Sequence, residues 1–393
     1  MMDDTNNTMR RTVAVYPFTR DFLPYLQAGL FPGVDICTLA TPNGTALAGK
    51  DAGYADNRPP TGIIVQPESV LDNMPDDILL IPHGEWADDA EDDTPVPGME
   101  WKQILRQKCV RFMEAYADEG KEVWCGMKLT ITEQDSMAAR CNASGAAFVY
   151  LHHEPAPAEP AALERLYVPD AAVLFVGELA PHTNALEITL GLHKRFQENG
   201  YRSAMLSARG TYAVPGSRRF PDSLFHPADE AQKVRDINQC IKDIEDEDAP
   251  DVIIVCLPDA LMKYDGQFTN GFGIKPYLIA QAVQADYAVV CLLHDYYNAA
   301  FYNTLRDGLK HRFGMPVRFF HTSNAMLDVQ AAQEQGKMLV HYLDYAFAKD
   351  AIAANVHDID TPDTPVCNVL DGNGDVLFRH VLATLLGTEE NDV

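Results

Sequence analysis

The sequence predicts an α/β protein of two Rossmann-like domains with mainly parallel sheets, the second P-loop-NTPase-like. Three observations predict it. Short apolar runs such as VAVY, DILLI, VLFVG, DVIIVC and YAVVCLL alternate with segments of helical apolar spacing, which is the pattern of βαβ units. A proline-rich stretch, HHEPAPAEPAALERLYVPD, separates these units into two sets. The chain, at 393 residues, is also long for one core, since domains run to about 100–200 residues. The expected organisation is a first domain over 1–151, a linker over 152–169, a second domain over 170–350, and an irregular segment with a short helix over 351–393.

In the first domain TVAVYPFT reads as the opening strand, and DFLPYLQAGL as a short helix that Pro24 confines to starting there or later. VDICTLATPNG is a second strand ending in a turn. GKDAGYADNRPP is too rich in Gly, Asp and Pro for regular structure, and reads as a loop at the carboxyl edge of a sheet, where open α/β sheets place ligands. GIIVQ and DDILLIPHG are two further apolar runs, followed by an acidic insert. An amphipathic helix from Glu100 to Glu119, the strand KEVWCGMKL, a helix from Thr132 to Arg140 and the strand AAFVYL complete a five-strand domain.

The second domain opens on VLFVGELAPHTNALEITLGLHKRFQENGY, the outline of a strand, a phosphate-sized loop and a helix. YRSAMLSARG is its second strand. A long Gly/Pro-rich loop follows, and loops of that size are more often functional than idle. DEAQKVRDINQCIKDIEDEDAP is a helix that Pro250 stops, DVIIVCLPD a buried strand ending at Asp259, PYLIAQAVQA a helix, and YAVVCLLHD a strand ending at Asp295. VRFFHTSN and a helix near Val329 to Ala348 close the pattern.

Composition excludes several classes. Asp+Glu number 57 against Lys+Arg 31, a formal charge of −26 that repels nucleic acid and anionic lipid and favours cationic partners. No run reaches the roughly 18 apolar residues of a membrane span, and the amino terminus is no signal peptide, so a cytoplasmic protein is expected. The eight cysteines form no CxxC pair, several lie inside apolar runs, and they read as buried thiols, not as zinc ligands or disulfides.

The chemistry centres on the first loop of the second domain. Lining up GxxxxGK[ST] on Gly177, with Glu178 next to it, puts His182 where the second glycine belongs, Thr183 at the lysine and Asn184 at the hydroxyl. ATP with magnesium is the cofactor such a loop would take, and the missing lysine and hydroxyl disfavour it. His182, when protonated, is a substitute anion donor. Arg209 and Asp259 would share the same carboxyl edge, Asp259 either holding magnesium or capping the next helix. The FTNGFG run offers Asn270, Gly271 and Gly273 as a tight ligand-facing or packing loop. In the first domain Lys50, Asp51, Tyr54 and His83 converge if the sheet is parallel, either on a ligand or in ion pairs that pin the loop. His152, His153 and Glu154 lack a third metal ligand, and DGNGD at 371–375 lacks the glycine and terminal Glu of a calcium loop. No nucleophile motif is present.

VAVYPF, GKDAGYAD, GYRSAMLSARG, FPDSLF, APDVIIVCLPDALM, FTNGFGI and ADYAVVCLL, in that order over about residues 10 to 330, resemble the peptide maturation system proteins of clostridial-type peptide natural-product clusters. The resemblance implies a protein encoded beside small precursor peptides and modifying or export machinery, so its implied partners are a precursor peptide or peptide-modifying enzymes. The second domain is also similar, more distantly, to dethiobiotin-synthetase-like P-loop proteins, from which it departs at the lysine and the hydroxyl. Two functions compete: an accessory or binding component of ribosomal peptide maturation without P-loop catalysis, and an ATP- or GTP-dependent ligase or kinase with a divergent loop. A homo-oligomer is compatible with either.

Overall fold

The computed structural model describes residues 10–31, 33–82, 99–152, 165–208, 214–356, 364–370 and 374–387. The chain divides into two compact units, 1–153 with 212–215 and 154–211 with 216–393. Each is an α/β layer structure with one mostly parallel sheet, of six and seven strands respectively.

In the first unit the sheet holds β1 (Arg11–Val15), β2 (Val34–Thr41), β3 (Gln66–Pro67), β4 (Ile78–Ile81), β5 (Glu122–Cys125) and β6 (Phe148–Tyr150). Their order is β3-β2-β1-β4-β5-β6, all parallel, which is the order of dinucleotide-binding sheets. The sheet has one strand more than the five expected, the two-residue β3, which begins at the last residue of GIIVQ and ends at Pro67. Period-two alternation makes both faces apolar: Ala14, Leu79 and Ile81 pack with α2 (Met99–Asp118) and α3 (Ile131–Ser144), while Val13, Val15, Ile78 and Leu80 pack on the side of α1 (Leu23–Ala28). Each such fully buried Val, Leu or Ile side chain is worth about 1.5–3 kcal/mol. The glycine-rich turn of a dinucleotide site is replaced by Tyr16-Pro17-Phe18, whose two rings are fully buried, so the backbone has no open cradle for a pyrophosphate there.

The second sheet is built from β7 (Ala172–Glu178), β8 (Ser203–Ser207), β9 (Ser217–Arg219), β10 (Val252–Ala260), β11 (Tyr287–Leu292) and β12 (Val317–Thr322). An antiparallel ribbon of β13 (Ala325–Leu327) and β14 (Val340–Tyr342) follows, and β15 (Val366–Cys367) returns to the sheet edge. The order is β15-β12-β11-β7-β10-β8-β9, all parallel. Helices α4 (Ala185–Glu198), α5 (Glu230–Asp248), α6 (Ile274–Ala282), α7 (Ala299–Phe313), α8 (Val329–Gln335), α9 (Tyr345–Val356) and α10 (Gly374–Leu386) complete the unit. Alternate strand residues (Val173, Phe175, Ile253, Val255, Val290) face α5, α6 and α7. The opposite face carries α4 and α10, joined by the Phe196–Phe378 ring contact at 5.1 Å, with His380 held to Tyr287 Oη at 2.7 Å.

Local chemistry fixes the ends. Thr130 and Glu133 form a capping box on α3, Asp229 caps α5 through the Gln232 N–H, and Asn298 caps α7 through the Phe301 N–H. Four expectations change. The 49–60 segment is not wholly irregular but contains a 3-10 turn over Ala52–Asp56. The loop after β8 contains β9 and a 3-10 turn over Asp222–Leu224. The single helix near Val329 to Ala348 is split into α8, β14 and α9, because Gly336 adopts a left-handed conformation and ends α8. Helix α7 has no counterpart in the sequence expectations, although Tyr302, Leu305, Leu309 and Phe313 bury at helical spacing.

Candidate functional site at the carboxyl edge of the second sheet

Strand order locates the crevice. The chain leaves β7 toward β8 on one side and reaches β11, the other neighbour of β7, only after β10. Connections from β7 and β11 therefore depart in opposite directions, and such a switch point opens a cleft beyond the carboxyl ends of the two strands. Two loops meet there, 179–184 after β7 and 293–298 after β11.

Gly177 lies within β7 and not in the loop: a Cβ there would come within 3.0 Å of Leu261 and 3.1 Å of Leu257, so its lack of a side chain serves packing. The turn itself is left-handed at His182 (φ 68°) and Asn184 (φ 79°), so His182 adopts the backbone conformation that the motif assigns to glycine. The fully buried Thr183 turns its hydroxyl inward to donate to the Ala180 carbonyl at 3.0 Å. The amide of Ala185, first residue of α4, donates to Glu178 Oε1 at 3.1 Å. A carboxylate thus stands where a P-loop would put phosphate, against the positive end of the helix dipole. A negative group already holds the amide, and the described 179–184 loop contributes no lysine to neutralise a second one.

Asn184 reaches across the crevice floor. Its Oδ1 accepts from Ser323 Oγ at 2.5 Å and meets His321 Nε2 at 3.4 Å, while His321 Nδ1 accepts from the Val369 N–H at 3.2 Å. His321 and Ser323 are fully buried at the end of β12, so the β7 loop is anchored two strands away. His294, 7% exposed, follows β11, and its Nδ1 has no partner among the described residues. Burial holds its pKa below the ordinary 6.5, with the Asp295 carboxylate and a hydrogen bond to the Ser323 backbone pulling the other way. The unfolded chain therefore takes up this proton first, and the stability that His294 contributes at neutral pH is lost as pH falls below 6.5. Urea midpoints should drop more steeply below that pH in the wild type than in His294→Gln; parallel slopes would refute the assignment.

Asp259 and the FTNGFG loop form a separate group on the same edge. Asp259 is left-handed (φ 58°), its carboxylate pairs with Lys275 Nζ at 3.0 Å, and a Cβ on Gly271 would lie 3.1 Å from it. It caps no helix, since Gly273 occupies the N-cap of α6, and its negative charge is already matched by Lys275. Asn270 Nδ2 contacts Met338 Sδ at 3.4 Å.

In the first unit Asp51 holds its own loop. Its carboxylate accepts from the N–H groups of Gly53, Thr61 and Gly62 at 2.7–2.8 Å, while Lys50 Nζ lies 3.7 Å over the Tyr54 ring. Although its partial burial raises the pKa, those donors outweigh it and hold the carboxyl below 3.8. Of the two readings for Asp51, the loop-pinning one describes these contacts, made by backbone amides instead of ion pairs. His83, Arg209, His153 and Glu154 lie outside the described residues. Among the described residues no group of three His, Cys, Asp or Glu side chains is arranged to hold a metal, and no helix is long and apolar enough to cross a membrane. The sequence reading missed His294, His321 and Ser323. The signal is the same one that marks Arg209 and Asp259, a polar residue at the end of an apolar parallel strand, here in LLHD and FFHTS.

No family model and no curated protein matches the chain. Among solved structures it is similar to a DUF1611 family protein from Anabaena variabilis, with a TM-score of 0.51 and 14% identity, over 95% of this chain and 99% of that one. At that identity the likeness carries the two-sheet α/β fold and no activity.

Proposed function

We propose that the protein is an accessory binding component of a ribosomal peptide-maturation system, holding a ligand at the carboxyl edge of its second sheet without transferring phosphoryl groups. The observation that carries this reading is the Glu178 carboxylate on the Ala185 amide, 3.1 Å away. A bound phosphate would have to displace a like charge from the helix terminus and find no lysine in exchange. The inward Thr183 hydroxyl and the Lys275-paired Asp259 support the same reading, because neither is presented as a magnesium ligand. The peptide partner comes from the motif resemblance, and the net charge of −26 suits a cationic one.

The left-handed His182 favours the rival, a nucleotide-dependent ligase or kinase with a divergent loop. Calorimetric titration with ATP and magnesium separates the two. We expect no heat and no shift in Tm at millimolar nucleotide. Submillimolar affinity that disappears in His182→Ala would overturn the proposal. Pull-down of the neighbouring precursor peptide and its modifying enzymes tests the partner.

A further inference from the structure

We propose that the outer surface of α5, α6 and α7 is the contact face of a homodimer, formed about a two-fold axis that runs along these helices. The partner is a second copy of this chain, and the surface is separate from the sheet edge read above as a ligand site.

The three helices lie side by side on one face of the second sheet, α6 between α5 and α7, and their inner residues share one core. Each leads into a strand of the same parallel sheet, so all three point the same way and their carboxyl ends share one edge. Helix α6 is apolar on both sides. Its inner side buries Leu278, Ile279 and Ala282, while Ile274 and Tyr277, three residues apart on one stripe, are 52% and 41% exposed. Phe272, just before the helix and 53% exposed, extends the stripe. A helix that is apolar all round is ordinarily covered on both sides. The Tyr277 ring meets Phe313 of α7 with centroids 6.3 Å apart, and Arg312 donates to the Phe272 carbonyl, so the stripe and the last turn of α7 form one surface.

The flanking helices carry opposite charges. In the second half of α5 Asp243, Asp246 and Glu247 are exposed, and Glu245 and Asp248 join them in a last turn without a basic residue, where the helix dipole opposes acidic side chains. Arg218 answers Glu247 and Asp248, at 3.2 and 3.0 Å, and Lys242 pairs with Asp246, while Asp243 makes no ion pair among the described residues. The last turn of α7 holds Lys310, His311 and Arg312, all exposed and none in an ion pair among the described residues. Basic residues there suit the dipole of α7, and single exposed apolar residues are ordinary. What distinguishes the face is the order acidic, apolar, basic across it. When two copies meet face to face with the axis along the helices, α6 lies on its own copy and the acidic end of α5 lies over the basic end of α7, twice. With the axis across the helices, α5 would meet α5 and α7 would meet α7, like charge on like. Complementarity therefore selects both the partner and the axis.

The test is sedimentation equilibrium of the full chain at micromolar concentration. The wild type should sediment at twice the mass of one chain, and Tyr277→Asp, a change at an exposed side chain, should be monomeric with unchanged circular dichroism. Reversing one flank, in Lys310→Glu with His311→Glu or in Asp243→Lys with Asp246→Lys, should weaken dimerisation about tenfold in each case, because both α5–α7 contacts then set like charges together. Mixing the two variants should restore association to within about threefold of the wild type, since each reversed flank now meets its opposite. A monomeric wild type, a dimer that survives Tyr277→Asp, or a mixture that associates no better than either variant alone would overturn the proposal.

Discussion

Gly273→Ala should destabilise the protein by about 3–5 kcal/mol in urea unfolding, one of the largest effects of any single methyl group added to this chain. A Cβ at this position would lie 2.1 Å from the Leu261 carbonyl oxygen and 2.7 Å from its carbon. The obstacle is backbone, and it cannot retreat: Leu261 is fully buried and its N–H donates to the Glu178 carbonyl at 2.7 Å. The left-handed φ of 71° adds about 1–2 kcal/mol for any residue with a side chain. Gly200→Ala is the control, because its φ of 82° is equally left-handed but its surroundings are open, and about 1 kcal/mol is expected there. Equal losses at the two positions would show that the contact with Leu261 is not rigid.

That contact has a consequence for the site. Asn270, Gly271, Phe272 and Gly273 are all left-handed, with φ of 47°, 65°, 56° and 71°, an unusual run for a segment that includes a phenylalanine. It persists because Gly273 lies against Leu261 and because Arg312 donates to the Phe272 carbonyl at 2.5 Å. Leu261 in turn donates its N–H to the Glu178 backbone carbonyl, which ties the FTNGFG loop and the end of β10 to the end of β7. Strain of this kind is retained where the surrounding structure over-determines it.

The parallel strands were legible because both faces of each sheet are covered, which makes the strands continuous apolar runs bounded by turns. The order of those strands was not. Nothing in VLFVG or YAVVCLL states that β11 lies beside β7, and the switch point follows from that adjacency alone. Gly177 illustrates the limit of motif reading. As a letter it opens a phosphate loop; in the fold it is a strand residue that leaves room for Leu257 and Leu261. Asp51 was read for its charge, yet its three backbone donors come from residues 53, 61 and 62, a local arrangement that residue type does not reveal. Asn184 was singled out as the residue lacking a hydroxyl, whereas its role in the fold comes from the oxygen it does have, and its partners lie 137 and 139 residues away.

Asn184→Ala should cost about 3 kcal/mol, and Asn184→Gly about 2 kcal/mol, a difference that divides the residue's contribution into two physical parts. The shared part is the oxygen. Without Oδ1 the buried Ser323 hydroxyl loses its acceptor at 2.5 Å and His321 loses the contact at 3.4 Å, which costs about 1–3 kcal/mol in a buried setting. The part that separates the two variants is the backbone, since φ is 79° at this position, where Asn and Gly are tolerated and Ala is not. Urea midpoints of the three proteins measure both parts. Equal losses in the Ala and Gly variants would place the whole effect in the side-chain oxygen. Losses below about 1 kcal/mol in both would mean that Asn184 does not tie the β7 loop to the end of β12, and that the crevice floor is free to move. In that case Glu178 could leave the Ala185 amide, and the helix terminus would become available to an anion such as phosphate.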